Sequence, residues 1–174
     1  MFDIQQHLPT VQAALDGLAY DFAQFEITDF VRHIETRRQR PIIIKDDPLT
    51  DGWFGAWVPL ETADYVFLRP HVHRAHYLHN LLHELAHIVL KHRGIDLREV
   101  LDVASLAKLG VTRSGGHLRA PGRFRDTVED GQAELFVYLL QGYLVQAHRL
   151  HELYGAITSI EHLKRYMDGL DLNS

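Results

Sequence analysis

Five residues, His83-Glu84-Leu85-Ala86-His87, constrain this chain more than any others. They read H-E-x-x-H. On an α-helix, residues four apart stand one above the other on the same face. His83 and His87 can therefore aim ring nitrogens at one divalent cation such as Zn²⁺. Glu84 follows about 100° further round the helix, beside such a cation without ligating it. The flanks favour a helix from about Ala75 to His92, because Ala, Leu and charged residues dominate and Gly94 is a natural stop. The chain has 13 His in 174 residues, so the helical context, more than the three fixed letters, carries the argument. The plainer alternative is an amphipathic helix whose His and Glu are solvated.

Length is consistent with one domain, 1–174, large enough to bury a real core. The chain contains no Cys. That removes disulfides, Cys-type zinc sites and thiol nucleophiles, and leaves His and carboxylates as the strong ligands. It also agrees with a cytoplasmic location. The net charge of −5 argues against a whole-surface nucleic-acid binder. The first ten residues lack a basic region followed by an apolar run, and no apolar stretch approaches a membrane span, so neither a signal peptide nor a membrane is expected.

Around the motif, the spacing predicts helices and a few strands. Pro9-Thr10 reads as the start of a first helix, with Thr10 as N-cap and Val11, Leu15, Leu18 and Phe22 at helical spacing. A second helix runs from about Thr28 to Arg38 and is stopped by Pro41. Its terminal Arg37, Arg38 and Arg40 read either as a solvated end complementing the helix dipole or as a contact for an acidic partner. Ile42-Ile43-Ile44 reads as a buried strand; Trp53 to Leu60 and Tyr65 to Arg69 read as a hairpin through Glu61-Thr62-Ala63-Asp64. The expected sheet is small, twisted and mostly antiparallel, with an edge strand able to pair with an extended peptide. After the motif come a helix over Leu97 to Leu109 and a basic loop over Val111 to Arg125. A long helix follows, from the capping box Asp126-Thr127-Val128-Glu129 to about Tyr154. A last helix covers about 158–169.

Two histidines hold zinc weakly, and catalytic sites generally have three protein ligands. The dense acidic cluster after the motif is Glu129, Asp130 and Glu134. Asp130 and Glu134 share a helix face. The plainer reading is that these acids complement a helix N-terminus, and for Glu129 capping already suffices. His76 and His79 fall on the motif face and could be further ligands, hydrogen-bond partners of a ligand, or ordinary helix residues.

Three segments together resemble the ImmA/IrrE family of bacterial zinc metallopeptidases: Trp57-Val58-Pro59-Leu60, Ala63-Asp64-Tyr65-Val66-Phe67, and His76-x-x-His79-x-x-x-His83-Glu84-Leu85-Ala86-His87-Ile88-Val89-Leu90. The resemblance covers about Thr28 to Leu140. The family's second motif, E-x-E-A-[NE], aligns with Asp130-Gly131-Gln132-Ala133-Glu134, so its two leading Glu residues are Asp130 and Gln132 here. The resemblance implies an α+β fold of the zincin, minigluzincin-like type, with a core over about 28–150. It implies a Zn²⁺ cofactor held by His83, His87 and Asp130, with Glu134 orienting a ligand His, Glu129 or Glu134 as substitute ligands, and Glu84 as general base. Tyr138, His117 and His79 are candidates for a second electrophile. The implied function is narrow-specificity cleavage of a helix-turn-helix transcriptional repressor. Because Asp130 and Gln132 depart from the pattern, a regulatory metal-binding module with little hydrolysis is the alternative. A structural zinc domain closed by an extra His is a third reading.

Overall fold

The computed structural model describes residues 2–46, 53–93 and 128–151. Helix α1 spans Ile4–Gly17, a single 3₁₀ turn Phe22–Gln24, and helix α2 Ile27–Arg38. Strands β1 (Ile42–Asp46), β2 (Gly55–Pro59) and β3 (Asp64–Leu68) follow, then helix α3 (Arg74–Val89) and helix α4 (Val128–Gln146). The fold class is α+β. The expected helix over Leu97 to Leu109, the basic loop, the capping residues Asp126 and Thr127 and the C-terminal helix lie outside the described residues.

α1 begins about two turns before the expected N-cap Thr10. Asp3 is its N-cap and accepts from the amides of Gln5 and Gln6 at 3.0 and 3.4 Å, and Pro9 sits inside the helix. Proline there forfeits one ladder hydrogen bond. Tertiary contacts of Phe2 and His7 with α4, described below, hold the added first turn. Val11, Leu15 and Leu18 face the core and meet Phe25, Phe30 and the α4 residues Phe136, Leu140 and Leu144 in one buried cluster.

The sheet order is β1-β3-β2. β2 and β3 form the expected antiparallel hairpin, with Trp57 opposite Val66. β1 adds to the other side of β3 in parallel, with Ile44 opposite Val66. The sheet is therefore evenly mixed, not mostly antiparallel. The physical reason is apolarity: Val66, Phe67 and Leu68 are all buried, so β3 fills the central slot and leaves the alternating β1 to an edge. β2 is the opposite edge. Backbone bonds Arg69 N–H to Phe54 O (3.0 Å) and Leu60 N–H to Ala63 O (2.9 Å) fix its phase. Gly55, Trp57 and Pro59 thus turn their amide positions away from β3, where the missing N–H of Pro59 costs nothing. α3 packs across β2 and β3 on one side and against α4 on the other.

Every helix with a described C-terminus turns out of its axis on a left-handed residue that is not glycine: Ala19, Gln39, Lys91 and His148 have φ of 50°, 53°, 57° and 56°. α3 therefore stops before the expected Gly94. His92 N–H bonds His87 O at 3.0 Å and Lys91 N–H bonds Ile88 O at 3.2 Å, the paired bonds of a Schellman turn. The α4 helix likewise ends at Gln146, short of the expected Tyr154.

Two of the arginines around the end of α2, Arg38 and Arg40, find an acidic partner inside the molecule. Asp64 is completely buried at the start of β3. Its carboxylate is paired with Arg38, lies 3.3 Å from Arg40 Nε and accepts from Trp57 Nε1–H at 3.0 Å. Arg38 also lies over the Trp57 ring, 5.4 Å from its centroid. Removing one member of a buried pair strands the other charge. Asp64→Asn is expected to lower stability by about 2–4 kcal/mol, read by urea denaturation; a loss below about 0.5 kcal/mol would show that this carboxylate does not tie α2 to the sheet.

Candidate metal centre

The site is built on the buried C-terminal half of α3. Among the described residues, the buried polar side chains are Asp64, Glu84 and His87, and two of these three lie in the motif. A helix packed on both flanks has to satisfy such groups from the elements it packs against.

The i, i+4 spacing brings His83 Nε2 and His87 Nε2 to 3.0 Å from each other. Across the cleft, Asp130 on the first turn of α4 places Oδ1 3.9 Å from His83 Nε2 and 3.6 Å from His87 Nε2. Tetrahedral zinc with ~2.0–2.1 Å bonds separates its ligand atoms by about 3.3 Å. The three atoms therefore already stand at the spacing such an ion requires, and the donor set of two imidazoles and one carboxylate suits Zn²⁺.

The other nitrogen of His83 is equally engaged. Nδ1 lies 3.0 Å from Glu134 Oε1, which also lies 3.2 Å from His79 Nε2. Burial alone would lower the His83 pKa, but hydrogen bonds to Asp130 and Glu134 overcome it and push it up to about 10. Glu134 is held well below the ordinary carboxylate range, first by its hydrogen bond to His79 and then by that to His83. The cluster thus favours a positive charge at His83, which a divalent cation held there would supply in the proton's place.

Glu84 lies beside this triangle, 6% exposed. Its Oε2 accepts from the edge amide of Trp57 at 2.8 Å. The carboxylate comes so close to β2 that a Cβ on Gly55 would lie 2.8 Å from Oε1. Gly55 is thus required for close approach and not for a turn.

Of the remaining sequence candidates, the structure brings some in and leaves others out. Glu129 is half-buried and its Oε1 takes the Arg93 amide at 3.4 Å, away from the triangle. His76 is exposed and packs edge-on against His73 at 6.0 Å. His79 meets Glu134 through Nε2 and lies with its ring 6.4 Å from that of His83, outside the triangle. Tyr138 is 73% exposed and lines a groove with Gln12 and Leu150. His117 lies outside the described residues.

Two further participants, His92 and His7, had no sequence signal, and Gln132 stood out only as a departure from the family motif. His92 Nδ1 lies 2.9 Å from His87 Nδ1, and its Nε2 lies 2.9 Å from Gln132 Oε1. Gln132 Nε2 lies 3.1 Å from His7 Nδ1. His92 is five residues after His87, off the helical face, and reaches it only because Lys91 turns the chain back. Burial lowers the pKa of His92, against the raising effect of its bond to Gln132.

Comparison with protein-family models, curated proteins and solved structures finds no match to this chain.

The Gly55–Glu84 contact makes a clear prediction. Gly55→Ala should cost about 1–3 kcal/mol, as overpacking of a filled site does. In a Glu84→Ala background that cost should nearly vanish, and a double-mutant cycle by chemical denaturation reads the coupling. Equal costs in both backgrounds would place the clash elsewhere.

Proposed function

We propose that this chain is a zinc-dependent endopeptidase of narrow specificity, with His83, His87 and Asp130 as ligands and Glu84 as general base. One observation carries the reading: two imidazole nitrogens and a carboxylate oxygen converge within 3.0–3.9 Å, with Glu84 anchored alongside. Bound Zn²⁺ supplies Lewis-acid polarisation of a peptide carbonyl and acidifies a water. Glu84 takes the proton of the attacking water and returns it to the leaving amine. Asp130 and Glu134 offset positive charge at His83, and Glu134 fixes the orientation of that ring. Gly55 and Trp57 line the edge of β2 beside Glu84, where an extended peptide can lie. The substrate class, a helix-turn-helix repressor cut in an exposed linker, rests on the likeness of the motif segments to the ImmA/IrrE family and on the general accessibility of linkers.

A second reading is favoured by a specific observation. The outward amide of Trp57 is already occupied by Glu84, and that bond both engages one carboxylate oxygen and takes up one pairing position of the edge strand. A regulatory metal-binding module that holds a repressor without hydrolysing it would need neither function.

Metal binding is tested first. The protein should bind about one Zn²⁺ per chain, lost in His83→Ala and in His87→Ala and weakened in Asp130→Asn, with Glu129→Gln unchanged, as read by competition with a chromophoric chelator. Full zinc retention in both histidine variants would remove the site. Chemistry is tested separately. Glu84→Gln should keep the metal and lower cleavage of a repressor encoded beside this chain by about 10²–10⁴-fold, with casein a poor substrate for both. Binding without cleavage by the wild-type protein selects the second reading; free digestion of casein contradicts narrow specificity.

A further inference from the structure

Behind His87 runs a continuous file of hydrogen-bonding groups that leaves the centre and ends on the first turn of α1. Its members are His87, His92, Gln132 and His7, linked by contacts of 2.9, 2.9 and 3.1 Å. They come from three separate parts of the chain: the end of α3, the first turn of α4 and α1. We propose that this file is a positioning relay that fixes the ring of His87 for metal binding, so that α1 is part of the centre's support. The inference rests on the metal reading above.

The donor and acceptor assignments follow from one end. A metal ion at the centre, or in its absence an N–H on His83 Nε2, engages the lone pair of His87 Nε2, so the hydrogen of the neutral His87 ring is on Nδ1. His87 Nδ1–H then donates to His92 Nδ1. That leaves the His92 hydrogen on Nε2, which donates to Gln132 Oε1. The Gln132 amide, with its oxygen used, presents Nε2–H to His7 Nδ1. Each member has one direction consistent with its neighbours, and a break anywhere lets His92 turn its hydrogen toward His87, donor against donor. Groups that hold the outer nitrogen of a metal-binding His raise metal affinity by about 10–100-fold.

A residue without a side chain admits the far end of the relay. Phe2 stacks on His7 with ring centroids 4.8 Å apart and planes 14° from parallel. That pair lies on the α4 backbone at Gly131, where a Cβ would come within 2.3 Å of the Phe2 ring. Gly131 stands between Asp130, which faces the cation position, and Gln132, which faces the relay. Glycine inside a helix costs about 1 kcal/mol relative to Ala, a cost that the seat for Phe2 and His7 explains.

The test uses the full chain labelled with ¹⁵N-histidine, first metal-free and then with Zn²⁺ alone. Expected are hydrogens on His87 Nδ1, His92 Nε2 and His7 Nε2, with a scalar coupling between the two Nδ1 atoms of His87 and His92 across their hydrogen bond. Gln132→Met should weaken zinc about tenfold. Gln132→Glu, which still accepts from His92, should return affinity to within about threefold of wild type while moving the His7 hydrogen to Nδ1. Gly131→Ala should move the His7 signals while leaving those of His83 in place. A hydrogen on His92 Nδ1 in the zinc-loaded wild-type protein overturns the relay and needs no variant to fold. So does undiminished zinc affinity in Gln132→Met. A wild-type protein that binds no zinc overturns the metal centre itself, and the relay's role with it.

Discussion

The interaction on which the rest depends is the burial of two ionisable side chains, Glu84 and His87, in the C-terminal half of α3. A helix flanked by a sheet and another helix has little water with which to satisfy them, and an unpaired buried charge costs several kcal/mol. Each group therefore recruits a partner from the neighbouring layer. Glu84 takes an amide from the edge of β2, and His87 takes His83, His92 and the oxygen of Asp130. These bonds connect α3 to both layers at the level of the motif. Apolar packing of Leu78, Leu81, Leu82 and Leu85 brings the layers together without specifying register. The polar bonds specify it, because a shift of one residue in β2 would present a side chain or a carbonyl where Glu84 finds the Trp57 amide.

The motif was legible in the sequence because its geometry is local. Residues four apart on one helix need no knowledge of the rest of the chain, and the hairpin of β2 and β3 is nearly as local. The choice among Glu129, Asp130 and Glu134 was legible only in part. The shared face of Asp130 and Glu134 followed from periodicity, but their division of labour, one toward the Nε2 atoms and one toward His83 Nδ1, depends on how α4 crosses α3. Helix ends were read worst. The expectation that Gly94 would stop α3 rested on glycine's ease in the left-handed region, whereas Lys91 adopts that conformation at a cost of order 1–2 kcal/mol. Tertiary bonds made by His92 one residue later offset that cost, and such bonds leave no local signature. The start of α1 was misplaced for the same reason, since Phe2 and His7 hold its first turn from 125 residues and more away in sequence.

The arginine run at the end of α2 shows how charge can mislead when read alone. A basic helix terminus usually faces water, and an acidic ligand is the usual sharper alternative. Here the counter-charge is Asp64, 26 residues on, and it is fully buried. Its position at the head of the central strand explains why two cations and an indole N–H converge on it: a carboxylate removed from water needs most of its lone pairs filled. The consequence reaches the site indirectly. Trp57, whose ring nitrogen binds Asp64 and whose backbone amide binds Glu84, joins the two buried carboxylates across β2.

That double role of Trp57 bears on what Glu84 can do. A carboxylate held by a backbone amide is oriented well, with one oxygen engaged. Proximity and orientation contribute much to a proton transfer, provided the second oxygen faces the reacting water. The amide also belongs to the strand along which an extended peptide would lie. A bound peptide that competed for the Trp57 N–H would release Oε2 and free Glu84 to turn. A peptide that paired only at Gly55 would leave it restrained. In such an arrangement the register of the ligand on β2, as well as the residues flanking its scissile bond, would decide whether the centre cleaves or only holds.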